Sequence, residues 1–131
     1  MNVLIIDDDI TKAVSIVNSL KRVHDGILDV TIKSSGTKGY YEYRSRPDNY
    51  DLIVLDMSMP MQPDMFVRRA GLSVLTLLNR LKLENKTPVI MCSSGEVDIN
   101  ECRQRYSNVI GSVLYDPMLY MDNKFRELLE D

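Results

Sequence analysis

Cysteine, histidine and long apolar runs are all scarce in this 131-residue chain, and each shortage excludes a class of function. The two cysteines, Cys92 in an apolar run and Cys102 in a helical stretch, have no metal-ligand spacing between them. They read as reduced thiols, which suits a cytoplasmic protein. The one histidine, His24, ends a helical pattern and reads as a solvated terminal residue, which argues against zinc chemistry and histidine-based triads. No apolar stretch approaches the roughly 20 residues that cross a bilayer, and no basic segment precedes the first apolar run. A basic excess is also missing: 16 Lys and Arg against 19 Asp and Glu give a net charge of −3, which argues against direct nucleic-acid binding. No repeat or low-complexity stretch breaks the chain.

What is present is the composition of one globular domain, 44% apolar and 27% charged, expected to fill residues 1–131 with no effector domain after the last helix. Short apolar runs at 3–6, 28–32, 52–55, 89–92 and 109–115 lack alternation, as strands buried on both faces do. Helical patterns lie between them. In the first, Ile10, Ala13, Val14, Val17 and Leu20 share one face, which is expected to meet the sheet. Val67, Ala70, Val74, Leu75, Leu78 and Leu81 do the same in the third. The second, near 37–45, carries Tyr40, Tyr41 and Tyr43. Val97, Cys102 and Tyr106 suggest a fourth, and Leu119, Phe125, Leu128 and Leu129 a last one. Turn signals such as Asp25-Gly26, Thr87-Pro88 and Asp116-Pro117 separate the elements. Five strand–helix units predict a flavodoxin-like (βα)5 doubly wound parallel sheet of order 2-1-3-4-5, with its switch point between strands one and three.

Those two strands end in acids. Asp7-Asp8-Asp9 follows the first, and Asp56, in Asp56-Met-Ser-Met-Pro60, follows the third. Carboxyl ends of parallel strands share one rim, where ligands bind. Oxygen donors there suit a hard cation such as Mg2+, held by carboxylates, waters and phosphate oxygens. Capping the first helix needs only one aspartate, with Asp9 the best placed, so Asp7 and Asp8 are left for other work.

With these acids and the Met57-Ser58-Met59-Pro60 continuation, the chain resembles a response-regulator receiver domain from end to end. The resemblance implies that Asp56 accepts a phosphoryl group. It implies Mg2+ held by Asp7, Asp8, Asp56 and the Ser58 backbone carbonyl, and a switch hydroxyl on Ser93 at the end of the fourth strand. A histidine kinase or histidine phosphotransfer protein would be the donor. A downstream protein target would dock on the face built from the fourth helix, fifth strand and fifth helix, with homodimerisation left open and no membrane involved.

Two departures from the family pattern stand out. Receivers end the fifth strand with a lysine before proline, and here the dipeptide is Asp116-Pro117; their switch aromatic, three residues earlier, is Val113, with Tyr115 the nearest ring. The segment 61–71 is longer than usual and reads as an insertion beside the rim, whose Arg68 or Arg69 could supply the missing cation. Two other readings compete. One is a receiver-like binding module that works without phosphorylation. The other is a small haloacid-dehalogenase-type phosphatase using Asp7 as nucleophile and Asp9 as general acid, with Ser93 on phosphate and Asp116 on metal.

Overall fold

The computed structural model describes residues 1–62, 69–84, 86–116 and 121–130 in full and 65–67 as backbone. The strands are β1 (Asn2–Ile6), β2 (Asp29–Lys33), β3 (Leu52–Leu55), β4 (Met59–Gln62), β5 (Met65–Val67), β6 (Val89–Ser93) and β7 (Val109–Leu114). The α-helices are α1 (Ile10–Val23), α2 (Gly36–Ser45), α3 (Ala70–Asn79), α4 (Ile99–Arg105) and α5 (Asp122–Leu129).

Five strands form one sheet in the order β2-β1-β3-β6-β7, and every pairing in it is parallel. This is the 2-1-3-4-5 order expected of a flavodoxin-like fold, once the separate β4–β5 pair is set aside. Successive side chains of a strand point to opposite faces, and the core divides accordingly. Leu4, Ile6, Ile53, Leu55, Val89 and Met91 face a layer shared with α2, α3 and α4. Val3, Ile5, Leu52, Val54, Ile90 and Cys92 face α1 and α5, against Ala13, Ile16, Leu20 and Phe125.

The helical face expected for α1 needs correction. Ile10 is 63% exposed and Val14 is 47% exposed. The buried face runs through Lys12, Ala13, Ile16, Ser19 and Leu20, so it carries two polar residues. Ser19 Oγ donates to Asp122 at the start of α5, and Arg22 grips the same carboxylate at 2.7 Å. A polar clamp thus ties the two helices that cover this face of the sheet.

The insertion is an antiparallel hairpin, β4 against β5, with an irregularity between Pro60 and Gln62. Val67 therefore lies in a strand, and α3 starts only at Ala70. Met59 is buried in the main core, and Met61 packs where a side chain on Gly36 would stand, which seats the hairpin on α2. Within α2, Tyr43 is buried and Tyr41 exposed. At the end of the sheet away from the acids, Tyr43 Oη and Thr87 Oγ1 lie 2.8 Å apart, Thr87 Oγ1 donates to the Tyr50 carbonyl, and Tyr106 Oη donates to the Thr87 carbonyl. These bonds join the entry of β6 to three neighbouring segments. Leu119 lies outside the described residues; α5 buries Phe125.

Candidate phosphoacceptor and metal site

The acids converge because β1 and β3 are adjacent and in register, Ile6 beside Leu55, so the residues that follow both strands emerge together. Asp56 N donates to the Ile6 carbonyl at 3.0 Å, which fixes the backbone of Asp56 against β1. One carboxylate oxygen from each of Asp7, Asp8 and Asp56 lies within 4.8 Å of the others. Asp7 and Asp56 are buried and Asp8 is exposed. Asp9 is the N-cap of α1, its carboxylate accepting from Lys12 N, and so takes the capping role expected of it.

Gly71 lets α3 approach the Asp56 loop closely. A Cβ there would stand 2.7 Å from the Asp56 carbonyl oxygen and 2.9 Å from Met57 Cα, and Gly71 N donates to the Met57 carbonyl. Asp56 then opens, with Met57, Ser58, Arg69, Ser93, Ser94, Gly95, Glu96 and Asp98, onto a cavity of about 750 Å3. Ser93 is buried at the end of β6, and its hydroxyl accepts from Gly95 N. Ser58 N lies 3.5 Å from Asp56 Oδ1.

A cation does lie within the acidic cluster, on α1. Lys12, in the first turn of α1 and only 4% exposed, places its Nζ 2.8 Å from Asp7 Oδ2 and 3.0 Å from Asp56 Oδ1. It also faces the Tyr115 ring, 6.0 Å from the centroid. Burial alone would push the Lys12 ammonium down, but the hydrogen bond and charge of Asp7, with Asp56 adding, outweigh it and hold Lys12 above its ordinary value. Asp7 goes the other way: burial pushes its carboxyl up and Lys12 only partly offsets this. The asymmetry follows from geometry, since Lys12 faces two anions whereas Asp7 faces one cation and a second anion.

Of the residues proposed to supply a cation, Arg68 lies outside the described residues. Arg69 lines the cavity mouth, but its guanidinium is paired with Glu101 on α4. Asp116 follows β7 on the same rim, one residue beyond Tyr115, whose N donates to the Ser93 carbonyl at 2.8 Å. It is not a member of the three-carboxylate group. Val113 is buried in β7. Sequence reasoning missed Lys12 altogether. The available signal was its position, because a lysine in the first turn of a helix opposes the macrodipole unless nearby acids favour it.

The cluster fits a divalent cation. Its ligands are hard oxygens, and Asp7 Oδ2 is a buried carboxylate oxygen whose close partner is the Lys12 ammonium at 2.8 Å. Three carboxylates and one ammonium leave two net negative charges, which a divalent ion balances.

The comparisons agree with the fold. No curated protein sequence matches the chain. A signal receiver domain of a two-component histidine kinase from Clostridium thermocellum aligns with a TM-score of 0.74 at 21% identity, covering 99% of this chain and 98% of that one. The Mn(2+)-bound form of the response regulator Rcp1 aligns at 0.71 with 14% identity, over 96% of this chain and 88% of that one. CheY in the CheX-CheY-BeF3-Mg+2 complex from Borrelia burgdorferi aligns at 0.69 with 20% identity, over 98% of this chain and 87% of that one. The family model for the response regulator receiver domain matches residues 3–109, and the chain belongs to that family.

Proposed function

We propose that this receiver accepts a phosphoryl group on Asp56, with Mg2+ at the acidic cluster, and relays the change to a partner protein. The observation that carries this reading is the joining of Asp7, Asp8 and Asp56 within 4.8 Å, with Asp56 and Ser93 opening onto one cavity. Asp7, Asp8, Asp56 and the Ser58 carbonyl would hold the ion. Bound there, Mg2+ supplies positive charge that offsets repulsion between a carboxylate and phosphoryl oxygens.

The chain's own residues do the rest. An Asp56 carboxylate oxygen attacks phosphorus and forms a P–O bond as the donor's bond to phosphorus breaks. With a phosphohistidine donor, from a histidine kinase or phosphotransfer protein, the P–N bond breaks and the imidazole keeps the electron pair. No oxidation or reduction occurs. Ser93, at the cavity wall, donates its hydroxyl to a phosphoryl oxygen. The output surface is the α4–β7–α5 face, where Leu114 is 58% exposed. The donor-side and output-side partners are proteins, and the site turns over only its own acyl phosphate.

Membership of the receiver family displaces the phosphatase reading, and Asp9, spent on the helix cap, is poorly placed as a general acid. The binding-module reading draws on Asp116 and Val113 and makes a different prediction. Incubation with magnesium and acetyl phosphate, followed by mass spectrometry of the trapped adduct, separates the two. We expect an acyl phosphate on Asp56 that is absent from Asp56→Asn; an unmodified wild type under every donor sinks the phosphoacceptor reading and leaves the binding module.

A further inference from the structure

Lys12 lies against the carboxylate to which the phosphoacceptor reading assigns the phosphoryl group. Its ammonium already contacts the reacting carboxylate at 3.0 Å and is anchored on the other side by Asp7 at 2.8 Å. It is held there by a buried stem and by a helix turn that Asp9 caps through the Lys12 backbone N–H. Meanwhile the position that resemblance assigns to a lysine, just past β7, holds Asp116. Relative to the family pattern, a cation has been lost from the last strand of the sheet, and one is present on the first helix.

We propose that Lys12 is the phosphoryl-contacting cation of this site, acting from α1 in place of a strand-borne lysine. The proposal rests on the phosphoacceptor reading of Asp56. When acetyl phosphate is the donor, an Asp56 oxygen forms the new P–O bond, the P–O bond to acetate breaks, and acetate leaves with the electron pair. Lys12 transfers no proton in this step. It exchanges part of its contact with the Asp56 carboxylate for a contact with a phosphoryl oxygen, while Asp7 keeps it in place. Charge counting shows why it matters. Asp7, Asp8, a dianionic acyl phosphate, a divalent ion and Lys12 sum to one net negative charge, and without Lys12 to two. A fixed cation aimed at the transferred group stabilises it with little reorganisation.

The same charge predicts an effect of opposite sign on metal. An ammonium among the acids repels a divalent ion, so the cluster binds Mg2+ less tightly than three unpartnered carboxylates would. Removing Lys12 should therefore strengthen metal binding while weakening phosphorylation. A merely structural lysine, or a misfolded variant, would not produce that pair of changes.

The test compares wild type, Lys12→Met, Lys12→Gln, Lys12→Arg and the exchange variant Lys12→Met/Asp116→Lys. For each, Mg2+ affinity is measured by NMR titration and the rate of Asp56 modification by acetyl phosphate at saturating magnesium. We expect Lys12→Met to slow modification about a hundredfold, the usual effect of losing one aimed charge or donor. Its Mg2+ affinity should rise about tenfold, from removal of one nearby like charge. Lys12→Arg should retain part of the rate, and the exchange variant should recover most of it. If Lys12→Met fails to fold, Lys12→Gln and the exchange variant are read in its place. A Lys12→Met or Lys12→Gln rate within twofold of wild type overturns the proposal and leaves the Asp56 reading intact. A wild type without an adduct overturns both.

Discussion

Asp8 is exposed whereas Asp7 and Asp56 are buried, so its side chain adds little to the fold, and under the proposed function its role is to hold the metal. Asp8→Asn should leave thermal stability nearly unchanged. Its Mg2+ affinity should drop by at least the ~10–100-fold typical of losing even an outer-shell partner. Tyrosine fluorescence or NMR titration reads this directly, and an unchanged affinity would place the ion elsewhere. The acids were legible because each closes an apolar run, and Ser93 because it follows a third such run on the same rim. Lys12 was not, because apolar spacing along a helix carries no mark of a buried lysine. The stripe beginning at Ile10 satisfied the helical period, yet Ile10 and Val14 face water, while Lys12 and Ser19 lie inside on ion-pair and hydrogen-bond partners from other segments. A buried charge is stable only with such partners, and these are set by tertiary contact.

At the scale of elements, α3 is placed by the absence of a side chain. Replacing a helical glycine with alanine ordinarily gains about 0.5–1 kcal/mol of helix stability. At Gly71 the new Cβ would meet backbone atoms of Asp56 and Met57, which cannot swing aside as a side chain can. Overpacking of this kind costs ~1–3 kcal/mol, so the clash should win. Gly71→Ala is expected to lower the denaturation midpoint and to slow modification of Asp56 as its loop is displaced. A more stable variant with unaltered Asp56 chemistry would show that the close approach is slack. The sheet strands were readable from run length and turn residues, and their order from the alternation of five strand–helix units. The hairpin was not: it was visible only as surplus length, because Met59–Gln62 carries a proline and a methionine pair without strand alternation. Its pairing partner and its seat on α2 supply what the local sequence lacks.

For the whole molecule, the clamp between α1 and α5 gives stability a dependence on pH. The hydrogen bond from Arg22, with Ser19 adding a second, holds the Asp122 carboxyl below its ordinary value of 3.8. A group whose pKa is lower in the folded state binds fewer protons there than in the unfolded chain, so its stabilisation is present above 3.8 and is lost as the pH falls through the lower folded value. Asp122→Asn should cost about 1 kcal/mol at neutral pH, a modest figure because Arg22 is half exposed. The deficit should shrink as melting is repeated at progressively lower pH, below the ordinary carboxylate range. A deficit that stays constant down to the acid limit would mean the clamp works by packing and not by charge.

The tyrosine–threonine network at the far end of the sheet bears on how such a molecule moves. Thr87 is bonded to Tyr43, Tyr50 and Tyr106, so β6 enters the sheet from a fixed mounting, while its exit at Ser93 borders an open cavity. A beam clamped at one end and loaded at the other does not slide; it deflects near the load. Any pull on the Ser93 hydroxyl is therefore expected to be taken up first by the turn that follows, where Ser94, Gly95 and Glu96 are exposed.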